Sequence, residues 1–348
     1  MTGISRRAFI GSTMAGAAGL GLSHPAAADD DDKKPREFPV ITPISIVLAT
    51  PVPGDHPMNT RIRLATKRVV EDTHRFNIRM VTGGRLGSEA TSLQQLRARQ
   101  IHFLAVSPIA LAALVQPAAA SSIGFAFDNN KTMLAALDGA LGTLIKAAIT
   151  KAGFHVFDKV WSYGYRQITS ANHAITTPDD LKNFKIAIPD DPATVGLFES
   201  FGAAPVKLPP DRMAPTLRGG GAEGRECELG DIVNAKLYEY QHYVSATKHL
   251  WDGFWLLANA ETWKAFPPAV QGSMSRNFDQ GALEYRDDLE KQDAMAIDDM
   301  KAKGMEFTEP DRKLFRAALR KANYYSTLKS KFDPKVWAAL EKYSGKLT

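Results

Sequence analysis

Ile44-Ser45-Ile46-Val47-Leu48-Ala49, closed by Thr50-Pro51-Val52-Pro53-Gly54, opens the stretch whose reading decides the fold. Six residues that are mostly apolar and β-branched, ended by a Pro/Gly turn, read as a buried strand. Met58 to His74 then reads as a helix, and Ile78-Arg79-Met80-Val81 as a second strand closed by Gly83-Gly84. Thr91 to Arg99 is a short helix, and Phe103-Leu104-Ala105-Val106 a third strand broken at Ser107-Pro108. Strand–helix–strand–helix–strand in about sixty residues implies parallel pairing with right-handed crossovers. Ligands of such sheets sit beyond the carboxyl ends of the strands, and Thr50 and Ser107 are the polar residues at those ends.

A second unit of the same kind starts near Trp161. Tyr163 to Thr169 is strand-like, Thr177-Pro178-Asp179-Asp180 has an N-cap, a Pro and two acids suited to a short helix start, and Lys185-Ile186-Ala187-Ile188 is a strand stopped by Pro189. Another helix and strand lead to Pro205-Val206-Lys207-Leu208. From Ala269 to Lys303 there is no proline, and apolar residues recur at Met274, Phe278, Ala282, Tyr285, Leu289 and Ala296. At 1.5 Å per residue this run would reach roughly 50 Å, longer than one small domain is wide, so it is expected to bridge two lobes. Two helices broken near Gly281 are the alternative.

The chain has 348 residues, 44% hydrophobic and 23% charged, with a net charge of +5 and one cysteine, Cys227. That is the composition of a soluble globular protein large enough for two domains, and its mild charge gives no sign of nucleic acid as a partner. Ser5-Arg6-Arg7-Ala8-Phe9-Ile10, the Gly/Ala-rich run from Gly11 to Leu22, and Ala26-Ala27-Ala28 have the features of a twin-arginine export signal (1–28) cleaved near Ala28. The run is too short and too rich in glycine for a membrane anchor. Residues 29–42, opening with Asp29 to Asp32, read as a disordered tail.

No catalytic constellation can be assembled. The histidines are scattered, with no metal-ligand spacing; Gly219-Gly220-Gly221 continues as Ala-Glu-Gly rather than as a phosphate loop; and there is no Gly-x-Ser-x-Gly elbow. Arg225 beside Cys227 would favour a thiolate and Glu226 and Glu228 would oppose it, so Cys227 reads as structural or ligand-facing. The expectation is a protein without catalytic residues, metal or cofactor.

Two stretches resemble a known family, the substrate-binding proteins of tripartite ATP-independent periplasmic (TRAP) transporters of the dicarboxylate and sialic-acid type. The first is Gly84-Arg85-Leu86-Gly87-Ser88-Glu89 with Leu93-Gln94-Gln95-Leu96-Arg97 and Ile101-His102-Phe103, followed by Ile123-Gly124-Phe125-Ala126-Phe127. The second joins Tyr165-Arg166-Gln167-Ile168-Thr169-Ser170, Thr177-Pro178-Asp179-Asp180-Leu181-Lys182 and Phe201-Gly202-Ala203-Ala204-Pro205-Val206. Tyr238-Glu239-Tyr240, Thr247-Lys248-His249, Asn259 and Trp263 continue the likeness. The resemblance implies a two-lobed α/β periplasmic-binding-protein-like fold with a ligand cleft and a lobe-spanning helix. Its lobes are expected at 43–163 plus 253–292 and at 164–252 plus 293–348. It also implies a monomer in the periplasm that captures a small-molecule solute and passes it to integral-membrane permease subunits. A sensor lobe presented to a membrane receptor is the alternative role.

The resemblance further implies which residues touch the solute. Arg166 stands where the family has one arginine that clamps the ligand carboxylate, since a guanidinium fork matches carboxylate geometry. The family's second arginine is Ala187 here, its ligand-touching asparagine is Cys227, and its acid after the third strand is Ser107. Thr50 belongs to the same cleft, and Trp251 and Phe254 stand where a stacking wall or a lobe junction could lie. Three readings stay open: a monocarboxylate held by Arg166 alone, a solute with little anionic character, or a charge supplied anew by Arg212 or Arg225. A buried Arg166 with no anion beside it would be costly, which favours the first.

Overall fold

The structure, a computed structural model, describes residues 43–348; the expected export signal and tail lie outside the described residues. Ten strands form one continuous sheet: β1 (Ile44–Ala49), β2 (Phe76–Val81), β3 (Phe103–Val106), β4 (Phe154–Val156), β5 (Trp161–Ser170), β6 (Lys185–Ile188), β7 (Ala204–Lys207), β8 (Gly224–Glu228), β9 (Tyr243–Asn259) and β10 (Glu306–Thr308). Along the sheet the order is β2-β1-β3-β9-β5-β8-β6-β7, with β4 and β10 also paired to β9. One half holds β1 parallel to β2 and β3, and the other holds β6 parallel to β7 and β8. β5 and β9 run antiparallel to each other between them: β9 pairs with β3 at one end and with β5 along most of its 17 residues.

The helices are α1 (Pro57–Thr73), α2 (Glu89–Arg97), α3 (Pro108–Leu111), α4 (Asn130–Asp138), α5 (Ala140–Lys151), α6 (Pro192–Glu199), α7 (Pro210–Arg218), α8 (Leu229–Asn234), α9 (Ala260–Ala265), α10 (Pro268–Ala302), α11 (Arg312–Lys321), α12 (Tyr324–Lys329) and α13 (Pro334–Ser344). Their starts follow the local chemistry. Ser88 accepts from the Thr91 amide and Ser107 from Ala110 ahead of Pro108, and Asp180 accepts from the Thr176 and Thr177 amides at the short 3-10 turn Pro178–Leu181.

The long apolar run is one helix of 35 residues, unbroken at Gly281. Gly281 is where α10 passes close to Trp161: a Cβ there would lie 3.1 Å from the indole. Met274, Phe278, Ala282, Tyr285 and Leu289 bury against α1 and the first sheet half, while Ala296 and Met300 pack into the apolar cluster of the second half. Arg61 and Arg68 of α1 fasten the helix by ion pairs to Glu284 and Asp288. The helix therefore spans both halves, as its length implied.

α11 to α13 close over the opposite face, where Phe315, Leu319 and Trp337 join a core with Leu141 and Ile145. Arg316 donates to the carbonyls of Phe125 and Ala126, and Arg312 to those of Phe127, Thr247 and Lys248, so the segment after α3 is held by its backbone.

Candidate functional site: an acid-rich cleft around Arg166

The carboxyl ends of the parallel strands in both halves carry polar residues: Thr50 after β1, Ser107 after β3 and Glu228 at the end of β8. A cavity of about 240 Å³ lies there. Thr50, Gly83, Glu89 and Ser92 of the first half line it, and Pro210, which starts α7 of the second half, reaches it from across. This is the location expected for a ligand of an open α/β sheet.

Arg166 sits where β5 is irregular against β9, with shifts of register between Ser162 and Gly164 and between Arg166 and Ile168. Gly164 supplies the positive φ of +103° that the first shift needs. Across the other edge of β5, Arg166 pairs with Glu228 and Ile168 with Glu226. Side chains alternate along a strand, so Glu226 and Glu228 share the face of Arg166, while Cys227 takes the face of Gln167.

Three carboxylates surround the guanidinium. Arg166 Nη1 donates to both oxygens of Glu226 at 2.8 and 3.1 Å, Nε to Glu228 at 3.0 Å, and Nη2 to Asp252 at 3.0 Å. His249 lies behind, with Nε2 3.4 Å from Glu226 and Nδ1 2.8 Å from the Thr247 hydroxyl. Glu89 completes the wall, accepting from the Ser107 amide at 2.6 Å and its hydroxyl at 3.0 Å. Thr50 donates to Asn59, whose amide in turn holds the carbonyls of Val52 and Pro53 and fixes the loop before α1.

The acids outnumber the cation, and their ionisation shows it. Burial works to raise Glu226, but Arg166 and His249 outweigh it and hold the carboxyl below its ordinary value. Glu228 has only a share of Arg166 and is pushed up to about 8 by burial, with Asp231, Asp252 and Glu226 adding repulsion. Burial also raises Asp252, Glu89 and Asp191, and lowers His249, which favours its neutral form.

Of the residues singled out from the sequence, Thr50 lines the cavity, Ser107 donates to the lining Glu89, and Arg166 stands outside the lining and acts on Glu89 through its field. Ala187 and Cys227 are buried together in the apolar cluster of the second half, with Leu217 and Ile232. Burial raises the Cys227 thiol well above its ordinary pKa, as suits a structural residue. Trp251 and Phe254 fall in two different cores, Phe254 edge-on to Tyr163 at 5.4 Å. Arg166 is not a cation short of an anion, because the chain surrounds it with three carboxyl groups, of which Glu226 is held toward its charged form. Glu89, Glu228 and Asp252 went unrecognised in the sequence, although the Glu226-x-Glu228 spacing, two acids on one face of a strand, was there to find. Among the described residues no group of three or more His, Cys, Asp or Glu is placed to hold a metal ion.

The family model of the bacterial extracellular solute-binding protein, family 7, matches residues 48–328. The chain is 28% identical over 269 residues to the uncharacterized protein y4mM of Sinorhizobium fredii, a match covering 76% of this chain and 50% of that one. It is 27% identical over 198 residues to the 2,3-diketo-L-gulonate-binding periplasmic protein YiaO of Escherichia coli, covering 57% and 60%. The matches thus span about half and three-fifths of these two relatives. The fold superposes with a TM-score of 0.79 on a TRAP periplasmic solute-binding protein from a Sulfitobacter species with bound β-D-galacturonate, at 19% identity, covering 87% of this chain and 100% of that one. The two-lobed architecture, the acid-rich cleft at its strand ends and a family match over most of the chain agree: the protein belongs to bacterial extracellular solute-binding protein family 7, the TRAP solute-binding proteins.

Proposed function

We propose that the protein captures a small, hydroxyl-rich organic acid in the periplasm and delivers it to the membrane permease subunits of a TRAP system. Its family is one of solute-binding proteins, not enzymes. The observation that carries the reading is the cavity between Thr50, Glu89 and Pro210 at the strand ends, with Arg166 in electrostatic reach of Glu89. Carboxylates such as Glu89 and Asp252 accept hydrogen bonds from hydroxyl groups. Diketogulonate and galacturonate, named for two of the relatives, are hydroxylated acids with one carboxylate each. A solute carboxylate would reach Arg166 by replacing Glu228, whose charged form burial and the neighbouring acids disfavour. Closure of the lobes about β5 and β9, with boundaries near 163/164 and 252/253, would then exclude water from the pair.

A second reading, a neutral polyhydroxylated solute, is favoured by one observation: Arg166 already holds three internal carboxylates. Thermal shift and calorimetry with D-galacturonate and its methyl ester separate the two. A ligand at a thousand times its dissociation constant adds roughly 4 kcal/mol, several degrees for this chain. A shift with the acid and none with the ester supports the organic-acid reading; equal shifts favour the neutral solute.

A further inference from the structure

A recess of about 40 Å³ has Glu228, but not Arg166, in its lining. Glu228, Asp231 and Asp293 line it together with His56, Tyr163 and Gln292. A space of this size holds one small polar group. It adjoins a groove of about 440 Å³, with which it shares His56, Gly230 and Gln292 and whose wall includes the apolar side chains of Pro57, Val233, Met295 and Ala296. Met295 is 70% exposed at that wall.

We propose that this recess binds the ammonium head of a small organic cation, with the apolar body of the cation in the adjoining groove. Glu228 is 6% exposed, and only one of its oxygens is engaged, by Arg166; the other accepts no hydrogen bond among the described residues. The carboxyl of Asp293 accepts none either. The hydroxyl of Tyr285, one turn before Leu289 on α10, is fully buried without a partner and lies in the field of Asp293 and Glu228. Asp231 already faces the Tyr163 hydroxyl at 3.4 Å and Arg225 at 3.5 Å, so the open acceptors are the second oxygen of Glu228 and the carboxyl of Asp293, which an ammonium with three donors and one positive charge can satisfy.

The cations nearby stand outside the recess. Arg166 pairs with Glu228 at 3.0 Å and Arg225 lies 3.5 Å from Asp231 without either lining the recess, and Lys248 acts on Asp293 only through its field. They leave the recess short of positive charge: Glu228 and Asp293 are pushed up to about 8 and about 7, chiefly by burial. The other titratable groups facing it, His56 and Tyr163, are both shifted by burial toward their neutral forms.

The test is calorimetry of the purified chain with n-butylammonium chloride at pH 8, with n-butanol as the neutral match. Binding of the ammonium without binding of the alcohol is expected, weakening as pH falls from 8 to 6 while Glu228 and Asp293 take up protons. Asp293→Asn, which removes a half-buried charge at constant shape, should weaken it about tenfold or more. No heat with butylammonium, equal binding of butanol, unchanged affinity in Asp293→Asn, or displacement by sub-millimolar calcium would each overturn the proposal. Galacturonate titrated into the same samples reports separately on the cleft, so either reading can fail while the other stands.

Discussion

Arg166 and Glu226 are joined by two hydrogen bonds from a single guanidinium nitrogen, and the Glu226 side chain has no exposure to solvent. A buried pair of this kind is most sensitive to losing one partner. Arg166→Ala leaves Glu226, Glu228 and Asp252 facing one another and should cost about 3–5 kcal/mol, read from urea unfolding. Arg166→Met combined with Glu226→Gln should cost less than Arg166→Ala alone. Equal losses would mean that the pairing contributes little beyond packing.

Asp293 gives stability a defined pH slope. Its folded pKa, about 7, lies above the ordinary aspartate value, so between about pH 4 and 7 the folded state holds a proton that the unfolded state has lost. Its contribution therefore weakens as pH rises through that window. Asp293→Asn should flatten the slope and raise stability at pH 8 on the order of 2 kcal/mol. Denaturant midpoints at pH 5 and pH 8, for the parent and the variant, check both sign and size.

Cys227 is buried among Leu217, Ile232 and Leu237, and its thiol is held in the protonated form by burial. It should react with a disulfide reagent at the rate of chain opening and not at that of a free thiol. Rapid labelling of the native chain would place the thiol on an accessible wall instead.

Gly224 of β8 lies close against β5. A Cβ there would lie 2.0 Å from the Thr169 carbonyl and 2.7 Å from the Phe184 ring. Gly224→Ala should cost about 3 kcal/mol or more through the forced separation of the strands, lowering the thermal midpoint. Because Glu226 and Glu228 follow on the same strand, it should also weaken any solute held at Arg166.

Much of the fold was legible in the sequence because local signals agree there with the tertiary structure. β1, β3 and β6 fall at the residues read from apolar runs ended by Pro or Ser-Pro, and α10 follows its 3.6-residue apolar period with an offset of one residue at each end. The ends of β2 and α2 were less legible. Phe76 joins its strand through pairing with Ile44, and α2 starts at Glu89, two residues before the expected Thr91, because Ser88 caps it. The site was legible only in part. Thr50, Ser107 and Arg166 could be placed from strand ends and a framed motif. The carboxylates facing Arg166 come from β8 and β9, more than fifty residues away in the chain, and only the sheet register shows that they share its face. For the same reason, Ala187 and Cys227 could be recognised as departures from a motif without revealing that they look into an apolar core.

β5 and β9 belong to both halves of the sheet. A cut in the chain that isolates one half would strip the other of its central strands, so the halves are not separable modules that recombination could trade between relatives. New solute preferences in such a molecule have to arise by replacing side chains in place, with the crossing strands as an unchanging frame. Arg166 of β5 shows how such a frame can be re-tuned: Glu226 and Glu228 of β8 and Asp252 of β9 set its charge balance without any change in the strands themselves.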